Sequence, residues 1–285
     1  MAWSYAFRGT RFGVNAYRTG LLVIATATLG LSAPPAFADI HYGGTGNVGN
    51  RATGPSMSLV RHDDGRIVAR IASGYTCGKR SFVSRIVVLR GTTADGVSFS
   101  AAGKTRLRGK GMVRYTVTGT LAADSVTGTL TERLRRCPKY SFGIFLRSEA
   151  APAGAPAMPA PGSLHAGLTS QSAGGVRLPV AVRVAKNGRV YSFWQVTMRC
   201  GPRAVVPFGN VTPTTRVKPD GSFSRKETFT IRYTDGSRER YRVSFKGRFL
   251  ADGVTGTLRA RMQTRKPGKR YYPCDSGTQT WSART

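Results

Sequence analysis

The chain has 285 residues, of which 44 are Lys or Arg and 13 are Asp or Glu, giving a formal charge of +31. A hydrophobic fraction of 40% with 35 Gly and 15 Pro excludes a coiled coil and a polytopic membrane protein. The 9% of aromatic residues allows buried cores and excludes a disordered polyelectrolyte, while the surplus of positive charge favours an anionic partner.

The first 38 residues have the pattern of a signal peptide. An apolar run at residues 20–31 is preceded by three arginines and no acid: Arg8, Arg11 and Arg18. Small residues at Ala36 and Ala38 then mark a cleavage site. The apolar run is shorter than the roughly 20 residues that a membrane-spanning helix needs. We therefore predict an exported chain that begins at Asp39, not a membrane anchor.

Export changes how the cysteines are interpreted. An even number of cysteines outside the cytosol favours disulfides, and three pairings are possible for the four present: Cys77, Cys137, Cys200 and Cys274. A zinc site is not predicted, because no two cysteines are close enough for a ligand pair and the three histidines are scattered at His41, His62 and His165. No other cofactor is predicted.

The mature chain contains one sequence unit twice. ADSVTGTL at residues 123–130 returns as ADGVTGTL at residues 251–258, and DGVSFS at residues 95–100 returns as DGSFS at residues 220–224. A Gly-Arg pair twelve residues before a cysteine, and an arginine ten residues after the next one, recur in the same order. Fixed order and spacing indicate a duplication. If each copy folds by itself, the bridges are Cys77–Cys137 and Cys200–Cys274.

The repeats and the changes in composition divide the chain into segments. We predict a signal peptide at 1–38, a flexible tether at 39–56, a first domain at 57–149, a Pro/Ala/Gly-rich linker at 150–175 and a second domain at 176–285. Pro-Ala repeats favour extended, hydrated backbone, so the linker is expected to act as a tether.

Alternation of apolar and polar residues predicts antiparallel strands in both copies. The clearest run is 240–249, followed by a hairpin turn at Asp252-Gly253 and a return strand from Val254. This turn pairs Gly247 with Leu258, and the equivalent turn in the first copy pairs Gly119 with Leu130. Further hairpins are predicted at Asn187-Gly188 and Asp235-Gly236.

Short strands at regular spacing predict an all-β fold. We expect two tandem antiparallel β-sandwich domains, or small barrels, joined by the Pro/Ala-rich linker. Pro179 cannot donate to a strand ladder, so the strand at 176–185 is expected at a sheet edge.

Basic residues concentrate on one predicted hairpin face and the loop after it. Lys246 is expected opposite Arg259, and like charges facing each other repel unless an anion neutralises them. Tyr271 and Tyr272 beside the loop would suit stacking. The candidate anion-binding residues are Arg240, Arg242, Lys246, Arg248, Arg259, Arg261, Arg265, Lys266, Lys269 and Arg270. The competing interpretation is a solvated surface on a chain rich in arginine.

No catalytic constellation is visible. The cysteines are assigned to disulfides, and no G-x-S-x-G elbow is present. His62-Asp63-Asp64 is better explained by a turn than by a metal site. We expect a non-catalytic binding or cell-envelope module whose partner is an anionic polysaccharide or other envelope polymer, in preference to nucleic acid. The alternatives are a structural spacer without a ligand and a secreted hydrolase whose site the sequence does not reveal.

Three segments carry a resemblance: DGSFS, YRVSFKGRFLADGVTGTLRAR and CDSGTQTWSAR. With them the chain resembles secreted tandem β-domain proteins of high-GC actinobacteria. The resemblance covers both copies and is stronger in the second, since Ile144 replaces Trp281 in the first. It implies export and a β fold, and it implies no activity.

Overall fold

The computed structural model describes residues 39–47, 55–72, 74–77, 80–83, 86–107, 111–135, 137–149, 151–201, 204–232, 236–265 and 272–285. Its regular elements are all β-strands, as predicted. The predicted signal peptide lies outside the described residues. Ten strands lie in the first half: β1 (Ile40–Asn47), β2 (Ser56–Arg61), β3 (Arg66–Ala72), β4 (Gly74–Cys77), β5 (Arg80–Val83), β6 (Val87–Thr93), β7 (Ser98–Leu107), β8 (Gly111–Leu121), β9 (Ser125–Leu134) and β10 (Tyr140–Ser148).

Eight of the first ten strands close into an antiparallel barrel in the order β1-β10-β9-β8-β7-β6-β3-β2. Its strands follow the alternation of apolar and polar residues. On β8, Val113, Tyr115 and Val117 are buried, while the residues between them are exposed. β1 pairs with β2 on one side and with β10 on the other, so the sheet has no edge. The barrel alternative is therefore confirmed and the sandwich is wrong. β1 also occupies residues 40–47 of the predicted tether.

Nine strands follow in the second half. They are β11 (Leu164–Ala173), β12 (Val176–Val184), β13 (Arg189–Cys200), β14 (Ala204–Arg216), β15 (Ser222–Arg232), β16 (Arg238–Leu250), β17 (Gly253–Arg265), β18 (Tyr272–Asp275) and β19 (Gln279–Arg284). Eight of them lie in the order β14-β13-β12-β11-β19-β17-β16-β15. The first barrel, read from β6 round to β7, has the same order of equivalent strands, so the duplicated sequence forms a duplicated topology.

The second barrel closes differently from the first. β6 and β7 are hydrogen-bonded in the first barrel, whereas their equivalents β14 and β15 are the two ends of the described sheet. The short strand β18 instead pairs with both β13 and β17. It thereby closes a ring of six strands, β11-β12-β13-β18-β17-β19, from which β14, β16 and β15 extend.

One predicted disulfide is confirmed. Cys200 on β13 is bonded to Cys274 on β18, with Cα atoms 4.1 Å apart, so the bridge holds the strand that closes the ring. Closing a loop of this size stabilises a fold by about 4 kcal/mol in the chain-entropy account. Cys137 is also disulfide-bonded. The side chain of Cys77 lies outside the described residues, so the Cys77–Cys137 pairing stays a prediction.

The strands of the predicted hairpins pair as expected, and Asp235 of the predicted Asp235-Gly236 turn lies outside the described residues. The register of the repeated hairpin is wrong by two residues. Gly247 pairs with Gly256, and Gly119 pairs with Gly128. The turn lies at Ala251-Asp252, with Leu250 opposite Gly253. Opposed glycines leave room above the sheet: a Cβ on Gly256 would lie 2.5 Å from the Trp281 ring. Both copies have this register, although the first has Ile144 in place of Trp281, so the shifted turn goes with the opposed glycines themselves. The shift by two keeps every side chain on its predicted face.

Pro179 does not mark a sheet edge, so that prediction is wrong. β12 lies between β11 and β13, and Pro179 pairs with Leu168. The register of β11 shifts directly after Leu168, and the pairing of β12 with β13 begins at Val180. Pro179 therefore lies at an irregularity of the ladder, where proline is tolerated.

The two barrels pack against each other through strands β1 and β2 of the first and β11 and β12 of the second. Val60 and Ala181 are fully buried, although neither belongs to the core of its own barrel. The Gln195 side chain donates to the Ser56 carbonyl at 2.8 Å across the boundary. The backbones approach closely, because a Cβ on Gly43 would lie 2.1 Å from the Gly167 carbonyl oxygen.

The predicted linker is not a free tether. Its residues 164–173 form β11, and the stretch before them is hydrogen-bonded to the second barrel. The Ala153 amide donates to the Asp252 carboxylate at 2.6 Å, and the Ala157 amide donates to the Phe249 carbonyl at 3.1 Å. These hydrogen bonds satisfy backbone groups that, from the composition alone, were expected to be hydrated.

We expect Gly43→Ala to lower the free energy of unfolding by at least about 2 kcal/mol, because the added methyl overlaps the Gly167 carbonyl across the barrel boundary. Gly143→Ala is the matched control on β10, since a Cβ there would meet nothing within 4 Å. Urea unfolding of the mature chain measures both. Equal stabilities of the two variants would contradict the close approach.

His165, which the sequence placed in the linker, lies on β11 and is 6% exposed. Its ring packs edge-on against Phe249, and burial lowers its pKa to about 4. An unfolded histidine takes up a proton near its ordinary pKa of about 6.5, whereas the folded His165 takes one up only near its lowered pKa. Stability present above pH 6.5 is therefore lost as pH falls towards 4, by on the order of 3 kcal/mol.

His165→Gln should flatten the fall in unfolding free energy between pH 6.5 and pH 4, because glutamine does not titrate there. Urea unfolding of both chains across that range tests this. An unchanged pH profile in the variant would assign the acid sensitivity to other groups.

Candidate anion-binding face

The outward side of β15, β16 and β17 is a basic surface. On β16 the even-numbered residues from Arg238 to Arg248 alternate with the core residues Tyr241, Val243 and Phe245. The paired residues on the neighbouring strands point the same way. We call this surface the basic face. Its Lys and Arg residues are Lys226, Arg232, Arg238, Arg240, Arg242, Lys246, Arg248, Arg259, Arg261 and Arg265.

The structure brings seven of the ten predicted anion-binding residues onto this face. They are Arg240, Arg242, Lys246, Arg248, Arg259, Arg261 and Arg265. Lys266, Lys269, Arg270 and Tyr271, and the side chain of Tyr272, lie outside the described residues.

Sequence reasoning missed Lys226 and Arg232 on β15, which face Ser244 and Arg238. The alternation of Ser222, Ser224 and Lys226 with Phe223 was the signal available for β15. That alternation assigns Lys226 to one side of β15, and the pairing of β15 with β16 decides that this side joins the basic face.

Like charges oppose each other across the strands. Arg242 lies opposite Arg261, and Arg238 lies opposite both Arg232 and Arg265. The predicted pair of Lys246 and Arg259 is wrong, because the register places Thr257 opposite Lys246 and Ser244 opposite Arg259. Directly opposed cations destabilise a sheet, so this face carries an electrostatic cost that bound anions would remove.

Two carboxylates partly neutralise the face. Asp275 on β18 accepts two hydrogen bonds from Arg259, at 3.0 and 2.6 Å, and a third from Arg261 at 3.0 Å. The Arg259 hydrogen bonds hold the pKa of Asp275 below its ordinary value, and the same contact raises the pKa of Arg259. Asp220, in the turn before β15, accepts from Arg248 at 3.2 Å.

Within the described residues, the equivalent face of the first barrel carries fewer basic side chains. With the glycine pairs aligned, Met112 is the counterpart of Arg240, Thr118 of Lys246, and Thr131 of Arg259. On the described parts of β7, β8 and β9, the outward Lys and Arg residues are Lys104, Arg106, Arg114 and Arg133. The two copies therefore keep the same strand order and differ on the same outward surface.

Other polar residues that the sequence singled out form local hydrogen bonds. His62 is bonded to Asp39 at 2.9 Å, and Asp64 is bonded to Arg66 in a turn. In the part of the chain that the structure describes, no group of three or more His, Cys, Asp or Glu side chains is arranged to hold a metal ion.

The chain matches no protein-family model and no curated protein. Among solved structures it is similar to a "putative outer membrane protein" from Bacteroides fragilis, at 12% identity over 86% of this chain and 96% of that one, with a TM-score of 0.24. A likeness at this level supports no statement about function. No helix within the described ranges is long and apolar enough to cross a membrane.

Arg259→Thr, which copies Thr131 of the first barrel, should raise the pKa of Asp275 because it removes the largest cause of the lowered value. In the parent protein the stabilisation is present above the ordinary carboxyl range and is lost as pH falls through the lowered pKa. Carboxyl carbon NMR titration of both proteins measures the two midpoints. Identical midpoints would show that the contact does not form in solution.

Proposed function

We propose that this chain is an exported, non-catalytic protein that binds a linear anionic polymer of the cell envelope through the basic face of its second barrel. The observation that carries the proposal is the contrast between the two copies. A general excess of arginine in the chain would enrich both copies alike, yet the first barrel has Met112, Thr118 and Thr131 where the second has Arg240, Lys246 and Arg259.

The geometry of the face suits a polymer better than a small anion. Outward residues of one strand recur about every 6.8 Å, and the run from Arg240 to Lys246 therefore spans about 20 Å. Several weak ion pairs along such a length add up, whereas each exposed pair alone contributes at most about 1 kcal/mol. The surface is also shallow, as a strand face is, which allows a chain to lie along it.

Export is supported by the disulfide between Cys200 and Cys274, since bridges of this kind persist in oxidising compartments. The amino-terminal pattern of basic, apolar and small residues supports the same assignment. An anionic partner in that setting is a charged polysaccharide or a teichoic-type polymer.

The test is binding of the mature chain to labelled polyglycerol phosphate, measured by fluorescence anisotropy between 50 and 300 mM salt. The triple variant Arg240→Thr/Arg242→Thr/Lys246→Thr should bind about 10- to 100-fold more weakly, because three surface ion pairs are lost. The slope of log affinity against log salt should become less steep by about 2.

The matched control is Lys186→Thr/Arg189→Thr/Arg216→Thr. It removes the same charge from exposed positions of the same barrel that are not part of the basic face, in the turn after β12, on β13 and on β14. We expect its affinity to stay within twofold of the parent. Equal losses of affinity in the two triple variants would contradict recognition by the basic face. Binding that salt does not weaken would contradict it too.

A further inference from the structure

The carboxylate of Asp275 occupies part of the basic face as a ligand anion would. Its two oxygens lie in the fork of the Arg259 guanidinium, and one of them also accepts from Arg261. Two-point contact between a guanidinium and a carboxylate is the geometry that arginine uses for carboxylate and phosphate ligands. The β17 side of the face is therefore already satisfied by a group of the protein itself.

Asp275 is held in this place from several directions. The adjacent Cys274 is bonded to Cys200, and Asp275 pairs in register with Arg199 on β13 and Arg261 on β17. Its Oδ1 atom also accepts from the Gly277 amide at 2.9 Å. An arriving ligand must therefore displace a fixed competitor to reach Arg259 or Arg261.

Asp220 bounds the face at another end. It accepts from Arg248 and from its own turn at Ser222, and these hydrogen bonds lower its pKa. The face also carries Arg240, Arg242 and Lys246 on β16, with Lys226 and Arg232 on the neighbouring strand β15. Within the described part of the chain none of these five side chains has an ion-pair partner.

The open cations form a strip along two strands. Neighbouring strands are about 4.8 Å apart, so the strip is about as wide as one polymer chain and about 20 Å long between Arg240 and Lys246. A second row of anionic groups, offset towards β17, would approach the carboxylate of Asp275. At the dielectric of a protein surface, like charges at such distances repel by amounts that change affinity severalfold.

We infer that Asp275 is a specificity-determining residue that restricts the basic face to single-chain polyanions and disfavours wide ones such as duplex nucleic acid. This inference rests on the function proposed above. It assigns the ligand class by the width of the strip, and it makes Asp275 an internal competitor for Arg259 and Arg261.

The experiment measures the affinity of the mature chain and of Asp275→Asn for two probes at one salt concentration. Polygalacturonate is the narrow, single-chain probe, and a 20-base-pair DNA duplex is the wide one. Asparagine keeps the size of the side chain and removes the negative charge that faces Arg259 and Arg261. We expect the duplex to bind the variant at least fivefold more tightly and polygalacturonate to change less than twofold. The preference for the single chain should therefore shrink.

Two further variants separate specificity from general charge and folding effects. Asp124→Asn removes the same charge from an ion pair with Arg147 on the first barrel, and it should leave the preference unchanged. Asp275→Glu keeps the charge and should retain the parent's preference. Thermal unfolding confirms that each variant is folded, and non-reducing peptide mapping confirms that Cys200–Cys274 is intact.

An unchanged preference in Asp275→Asn would overturn the inference, as would an equal gain in Asp124→Asn. Either result leaves the proposed function standing, provided the Arg240/Arg242/Lys246 variant still loses binding to polygalacturonate. If the parent binds neither this probe nor polyglycerol phosphate, the proposed function itself fails.

Discussion

The second barrel depends on the contact between the Trp281 indole and the two glycines beneath it. A Cβ on Gly247 or Gly256 would lie 2.9 or 2.5 Å from that ring, so the indole can be seated only where two glycines oppose each other. The ring also stacks on Phe245 at 4.8 Å. The seat requires the pairing of β16 with β17 that places Gly247 opposite Gly256. A slip of one residue would turn Lys246 and Arg248 into the core, so the position of the basic face follows from the packing on its opposite side.

Much of the fold could be predicted from period-two alternation and from the repeat. Val113, Tyr115 and Val117 are inward in the structure as their spacing indicates, and the repeat correctly selected Cys200–Cys274 among the three possible pairings. What failed depended on contacts between distant segments. The turn at Ala251-Asp252 goes with the pairing of Gly247 and Gly256, and Pro179 lies in a central strand beside a register shift in β11.

In the candidate site, too, local features could be predicted and contacts between distant segments could not. The basic residues of β16 and β17 could be assigned to one face because alternation is a local property. Their partners could not: Asp275 follows Arg259 by sixteen residues and reaches it only because β18 pairs with β17. Lys226 required the pairing of β15 with β16. Local pattern therefore identified the cations, and the sheet topology decided which of them are already neutralised.

The contact between the two barrels has an internal symmetry. Gly43 pairs with Arg147 and Ala166 pairs with Arg284, two arginines at equivalent places in the copies, so Gly43 corresponds to Ala166 and Gly44 to Gly167. The close approach of Gly43 to Gly167 and that of Gly44 to Ala166 are then one contact seen from each copy. At these positions the barrels meet as the subunits of a twofold homodimer do, with the same strand used on both sides. Joining the copies in one chain let a single copy acquire the basic surface, which a true homodimer would have had to carry twice.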